Sequence, residues 1–280
     1  MMQDEAVDIL QQINNVSATI CSIFIHVFII YRIRTKYSVF TQYQNLLVVQ
    51  SSIYAVGSIS QLLGNTRITL DGNELQGYWF TCNPKVLDII LEYTLDMTES
   101  AESIVIAVFN LHRVLLFVRP YLLRSFYLIV IPIAILYCIC HAYVNAIDKN
   151  YAYYSKIGFF LIICSAIIIC YIILRRYFAS NISSKRVRRM QAHLSKGIVA
   201  QICVHITAIA LLGLWNPINI VLGLFFERSK KTEETVFKVY LVVAYTIFVW
   251  YSAVIGLIIR WSIIGILTRI KPAQTSSFVI

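Results

Sequence analysis

The chain has 280 residues, 59% of them hydrophobic and only 14% charged, with a mean hydropathy of +0.72. Ordinary globular domains are about half apolar and about a quarter charged, so this composition excludes a typical soluble enzyme, a disordered tail and a collagen-like chain. Ten Gly and five Pro argue against a loop-rich or all-β protein, and a formal charge of +10 has to sit on little polar surface.

Long helices in a membrane remain. Crossing about 30 Å of hydrocarbon takes about 20 mostly apolar residues at about 1.5 Å of rise each. Seven stretches qualify in chain order: Val16–Tyr31, Tyr43–Leu63, Val86–Leu111, Ser125–Ala146, Ile157–Leu174, Gly197–Phe226 and Phe237–Ile264. The first is short unless its polar flanks join it. The third carries five carboxylates, and the sixth is interrupted by Trp215-Asn216-Pro217. No internal repeat is visible. The fold class expected is an all-α membrane protein, a single seven-helix bundle over residues 1–280, with a short outer segment (1–15) and a tail from about 266 to 280.

The positive charges orient this bundle. With the N-terminus outside, the inner segments hold Arg32, Arg34 and Lys36, then Arg113, Arg119 and Arg124. They continue with Arg175, Arg176, Lys185, Arg186, Arg188, Arg189 and Lys196, and then Arg260, Arg269 and Lys271. Those sixteen face no inner acid. The other eight of the 24 Lys and Arg lie in outer segments, against nine acids. An excess of Lys and Arg in short loops marks the cytoplasmic side, so the expectation is N-out, C-in. The acidic start (Asp4, Glu5, Asp8) fits an exported end, and no cleavable signal peptide is visible. Asn15-Val16-Ser17 is a glycosylation sequon on that outer side, close to the membrane surface, where a chance match is the simpler account. Cys82 is the one cysteine in an outer loop, and Cys140 near the outer end of the fourth helix is the nearest partner for a disulfide.

The third helix is the most informative stretch. Asp88, Glu92, Asp96, Glu99 and Glu102 fall within an arc of about 120° at about 100° per residue. Acids facing lipid are costly, so the stripe should face the interior or a wet cavity. Three readings stand: a pocket for a cationic or hydrogen-bonding small molecule, a cation or proton path, and protonated acids bonded to neighbouring helices. The binding residues expected on the first reading are Glu92, Tyr93, Asp96 and Glu99. Trp215 and Asn216 from the kinked sixth helix and Tyr245 from the seventh complete that set. Pro217 removes a backbone hydrogen bond and makes a hinge.

No phosphate-cradling loop, metal-ligand spacing or nucleophile–base pair is present, so neither an enzyme nor a metal or cofactor protein is expected. The positive charge is accounted for by topology, which leaves no nucleic-acid role. The inner-loop cations satisfy the topology rule and touch anionic headgroups of the lipid bilayer. Phe278-Val279-Ile280 has the form of a PDZ-binding end, a match that chance explains equally well.

Certain inner-face strings carry a resemblance. They are Ile30-Tyr31-Arg32-Ile33-Arg34-Thr35-Lys36, Leu111-His112-Arg113-Val114 with Val118-Arg119-Pro120, and Ser184-Lys185 followed by the run from Gln191 to Gln201. Together with the seven-span pattern they resemble the nematode serpentine chemoreceptors, G-protein-coupled receptors of the Str type. The resemblance implies a small-molecule chemical ligand taken from outside and a heterotrimeric G protein docking inside. It also implies the plasma membrane of sensory neurons or their cilia. Arg113 is similar to the arginine that restrains the inactive state, and Trp215 and Pro217 to the tryptophan–proline pair of rhodopsin-like receptors. Arg119, Lys185, Arg186, Arg188 and Arg189 would border the docking cleft. The chain departs from that pattern in the Leu111-His112 neighbours of Arg113 and in lacking a proline within Tyr251–Gly256. Asp96 is one position off the aspartate of amine receptors, which argues against an amine ligand. The rival reading is an ion channel or transporter built on the acidic stripe.

Overall fold

The structure is a computed structural model of the whole chain; it describes residues 2–36, 42–68, 74–76, 84–147, 149–180, 185–213 and 230–264. Eight α-helices fill most of these: α1 (Met2–Lys36), α2 (Gln42–Gly64), α3 (Pro84–Val118), α4 (Leu123–Ile147), α5 (Lys149–Ser180), α6 (Lys185–Gly213), α7 (Lys230–Phe248) and α8 (Tyr251–Ile259). Between α2 and α3 lies a small antiparallel hairpin, β1 (Thr66–Ile68) and β2 (Glu74–Gln76), with Arg67 opposite Leu75. Asn65, at φ 44°, ends α2 in the left-handed region that Asn tolerates, and turns the chain into β1.

Six segments among the described residues are long and apolar enough to cross a membrane: Ala6–Thr35, Gln44–Gly64, Ile89–Val118, Pro120–Ile147, Gly158–Ala179 and Thr235–Ser262. The last runs through α7 and α8. Their outward faces are apolar, as with Leu128, Ile133 and Leu136 on α4 and Leu161 and Ile162 on α5, all at least 60% exposed. Faces of that kind are stable in hydrocarbon and mark an integral membrane protein. The expected sixth span begins in α6, but residues 214–226 lie outside the described residues, as does the tail from 265 on.

The helices close into a ring. α1 packs on α2 and α8, α2 on α3, α3 on α5, and α6 on α5 and α8, while α4 sits outside against α3 and α5. α3 packs against α2, α4 and α5. Fully buried Ile29, Ile33, Leu47, Tyr54, Ile255 and Ile259 fill the seam between α1, α2 and α8. Where these three helices meet, Ser22 lies 2.7 Å from Ser58 and 2.7 Å from Ser252, so small hydroxyls let the backbones approach and bond across.

Two sequence expectations change. The first span is not short: α1 is continuous from Met2, and Ala6–Thr35 within it is long and apolar enough to cross a membrane. Asn15, in the sequon, lies inside that helix at 2% exposure, whereas a glycosylation acceptor amide must be accessible. The last span is not one straight helix either. It breaks at Val249–Trp250, where the Trp250 N–H bonds the Ile247 carbonyl at 3.2 Å instead of the carbonyl four residues back. The Thr246 carbonyl that this frees accepts from Asn14 Nδ2 at 3.0 Å. Asn14 Oδ1 in turn accepts from Trp250 Nε1 at 2.9 Å. The break that the sequence lacks a proline to make is held instead by one asparagine of α1.

Candidate functional site

α3 carries the acidic stripe, and the surrounding helices divide it. Asp96, at one edge of the predicted arc, accepts from Asn145 Nδ2 of α4 at 2.6 Å. One turn further, Ser100 lies 3.3 Å from His141 Nδ1, also on α4. Glu102, at the opposite edge and 8% exposed, turns the other way and lines a small cavity together with Tyr251 of α8. The roughly 120° between these positions, harmless on a helical wheel, is enough to give them different partners.

Between α2, α3, α6 and α8 lies a cavity of about 100 Å³, lined by Glu99, Glu102, Gln61, His205 and Tyr251 among others. Its walls are mostly apolar with several polar groups among them, and it holds room for a few waters or one small functional group. Of the sequence-derived binding set only Glu99 lines it. Glu92, Tyr93 and Asp96 line other surfaces of α3, and Tyr245 lies on α7 away from the cavity. Trp215, Asn216 and Pro217, and the side chain of Asp88, lie outside the described residues. Glu102, His205 and Tyr251 are the groups the binding set omits.

His205 is the hub on α6. Its Nδ1 bonds the Gln201 carbonyl at 3.0 Å, its ring stands edge-on to Tyr251 at 4.8 Å, and Phe160 of α5 stacks on its face. The Tyr251 hydroxyl contacts His205 Nε2 and lies 3.5 Å from the Tyr54 hydroxyl. Tyr54 stacks at 5.1 Å on His26, whose Nε2 donates to the Ser252 carbonyl at 3.1 Å. Gln50 of α2 bonds Gln201 of α6 at 2.9 Å. Polar side chains therefore link α1, α2, α6 and α8 through the centre of an otherwise apolar bundle, where each bond replaces one that lipid cannot offer.

A second, larger cleft of about 600 Å³ lies between α3, α5 and α6. Arg113, Arg175 and Lys196 line it with Leu174, Phe178 and Val199, and no acid is among its lining residues. Arg113 is 3% exposed, and its Nη2 donates to Ser195 Oγ on α6 at 3.1 Å. Its neighbour His112 is 1% exposed, with Nδ1 2.8 Å from the Tyr127 hydroxyl of α4. Arg119 is exposed in the link between α3 and α4 and does not line the cleft. Lys185, Arg186, Arg188 and Arg189 sit on the first turns of α6, their side chains outside the described residues.

The disulfide expectation finds no support at its visible end: Cys140 is a free thiol on the exposed side of α4, and Cys82 lies outside the described residues. Among the described residues no His, Cys, Asp and Glu group is arranged to hold a metal. No family model matches the chain, and no curated protein matches it.

Proposed function

We propose that the chain is a seven-span chemoreceptor of the serpentine type, which takes a small molecule from outside and signals to a G protein within. The seventh crossing is the apolar run Gly197–Phe226, whose start lies in α6, and the basic ends of α3, α5 and α6 face the cytoplasm, as the asymmetry of Lys and Arg requires. The observation that carries the reading is the basic cleft. A central helix places a buried arginine at its mouth and ties it to the helix expected to move, through the Arg113–Ser195 bond. A ligand that favours the arrangement with this bond open would widen the cleft and expose Arg113, Arg175 and Lys196 to a partner. The ligand would be read near Glu99 and the hydrogen-bonding groups around it, at the other side of the bundle's centre. The sensory-neuron plasma membrane follows only from the resemblance of the inner-face strings.

The test is a chemical screen on cells expressing the full chain, with a G-protein readout. Responses that disappear in Arg113→Ala, at unchanged surface level, are expected. Ligand-evoked current without a G protein would instead favour a channel working through the α3 acids.

A further inference from the structure

The cleft between α3, α5 and α6 combines two kinds of wall. Arg113, Arg175 and Lys196 bring three positive charges to it, and no acid is among its lining residues. The rest of its surface is mostly apolar, with Tyr171 and Leu174 from α5 and Val199 from α6. At about 600 Å³ it falls within the roughly 300–1,000 Å³ of small-molecule sites.

Depth in the membrane sorts the two kinds of wall. Arg113 lies five residues before the end of the span Ile89–Val118, and Arg175 four before the end of Gly158–Ala179. At about 1.5 Å per residue both stand about 6–8 Å inside the ends of their spans, where headgroups give way to acyl chains. Tyr171 and Val199 each lie about one turn deeper than the cation of their own helix, Arg175 or Lys196. The cleft also opens sideways. α5 packs chiefly on α3 and α6 chiefly on α8, so the wall between α5 and α6 is thinly closed. Tyr171 and Val199 are 44% and 49% exposed, so the apolar lining continues onto surfaces that face hydrocarbon.

We propose that this cleft seats one anionic phospholipid from the leaflet on the basic side of the bundle. Arg175 and Lys196, both exposed, hold its phosphate, and one acyl chain runs out past Tyr171 and Val199. Arg113 keeps its bond to Ser195 and adds its charge from the inner wall. A soluble phosphate would match the cations but leave the apolar lining uncovered. A neutral lipid would cover the lining but bring no counter-charge. An anionic phospholipid does both, which is how basic pockets between membrane helices select such headgroups. Any partner docking in the same cleft would meet Arg175 and Lys196 only after the headgroup leaves. This lipid site needs the bundle's place in a membrane but not the receptor reading, and its test uses no G protein.

Native mass spectrometry of the purified full chain, released from nanodiscs of equal phosphatidylglycerol and phosphatidylcholine, counts the lipids it keeps. Wild type is expected to retain one phosphatidylglycerol in preference to phosphatidylcholine. Arg175→Ala with Lys196→Ala should weaken that retention about 25-fold, at about fivefold for each cation near the headgroup. Arg124→Ala, at an exposed cation on α4 outside the cleft, should retain the lipid as wild type does. Val199→Trp keeps all three cations and fills the apolar part, so it should also lose the lipid, which diffuse attraction to charge would not explain. Inorganic phosphate added before release should leave the lipid in place. Equal retention of both lipids would overturn the proposal, as would full retention in the double variant or in Val199→Trp. An equal loss in Arg124→Ala would overturn it too, and displacement by inorganic phosphate would make this a site for free phosphate instead. Val199→Trp and the lipid preference of wild type decide the matter if the double variant does not fold.

Discussion

Arg113 and Asp96 are both ionisable and both on α3, yet each is settled by a different neighbour. Arg113 gives an Nη2 hydrogen to a serine on α6, a bond of about 1 kcal/mol net. Its loss in Ser195→Ala should shift the resting balance between closed and open clefts by about fivefold. On the receptor reading that appears as raised ligand-free G-protein turnover, and an unchanged basal rate would show that this contact does not restrain α6. Asp96 instead takes a hydrogen from Asn145 of α4. Asn145→Ala should lower thermal stability in nanodiscs by about 1–3 kcal/mol, the usual range for a bond to a charged group and the cost of losing it. A melting temperature equal to that of wild type would mean that other partners of Asp96 carry the load.

Two helix contacts depend on side chains that have no chemistry of their own to perform. Asn14 of α1 fills both sides of the break between α7 and α8, accepting from Trp250 and donating to the Thr246 carbonyl. Asn14→Ala leaves that carbonyl without its side-chain donor, with an expected loss of about 1–2 kcal/mol; Asn14→Gln, with a longer reach, should recover only part of it. Thermal unfolding of the two variants side by side checks the order. Gly197 of α6 meets the π-helical turn Arg260–Ile264 so closely that a methyl group there would come within 2.3 Å of Ser262 Cβ. Ser262 is fully buried, so it has nowhere to withdraw. Gly197→Ala should therefore cost about 1–3 kcal/mol by overpacking, and Gly197→Ala combined with Ser262→Gly should restore most of it. No recovery in the double variant would place the strain elsewhere.

For the molecule as a whole, orientation is the property that most constrains function. The ends of α3 and α5 and the start of α6 bring Arg113, Arg175 and Lys196 to one side of the bundle, while the β1–β2 hairpin packs against α1 on the other. Epitope tags at the two termini of intact cells should be labelled at the N-terminus and hidden at the C-terminus until the membrane is permeabilised. The opposite pattern would remove the receptor reading, because the cleft would then face away from any G protein.

Composition alone determined that this chain lives in a membrane, since 59% apolar residues in runs of helical length have no other stable place. The run lengths located the described spans but not their ends, since α1 and α6 begin well before the runs that marked them at Val16 and Gly197, and charge patterning supplied an expected orientation. Period also pointed inward on α6, where Leu194, Ile198, Gln201, His205 and Ala208 recur at spacings of four and three and are all buried. Reading that stripe fully would have placed Gln201 and His205 in the centre beside Glu102. Other features had no signature along the chain. The bond from Asn145 of α4 to Asp96, the Asn14 clamp on a break without proline, and the Arg113–Ser195 tie each join residues distant in sequence. Local pattern fixes which face of a helix turns inward, because that depends on period. Which helix it meets there is decided by packing, because partner choice depends on the order and tilt of helices that only the closed bundle defines.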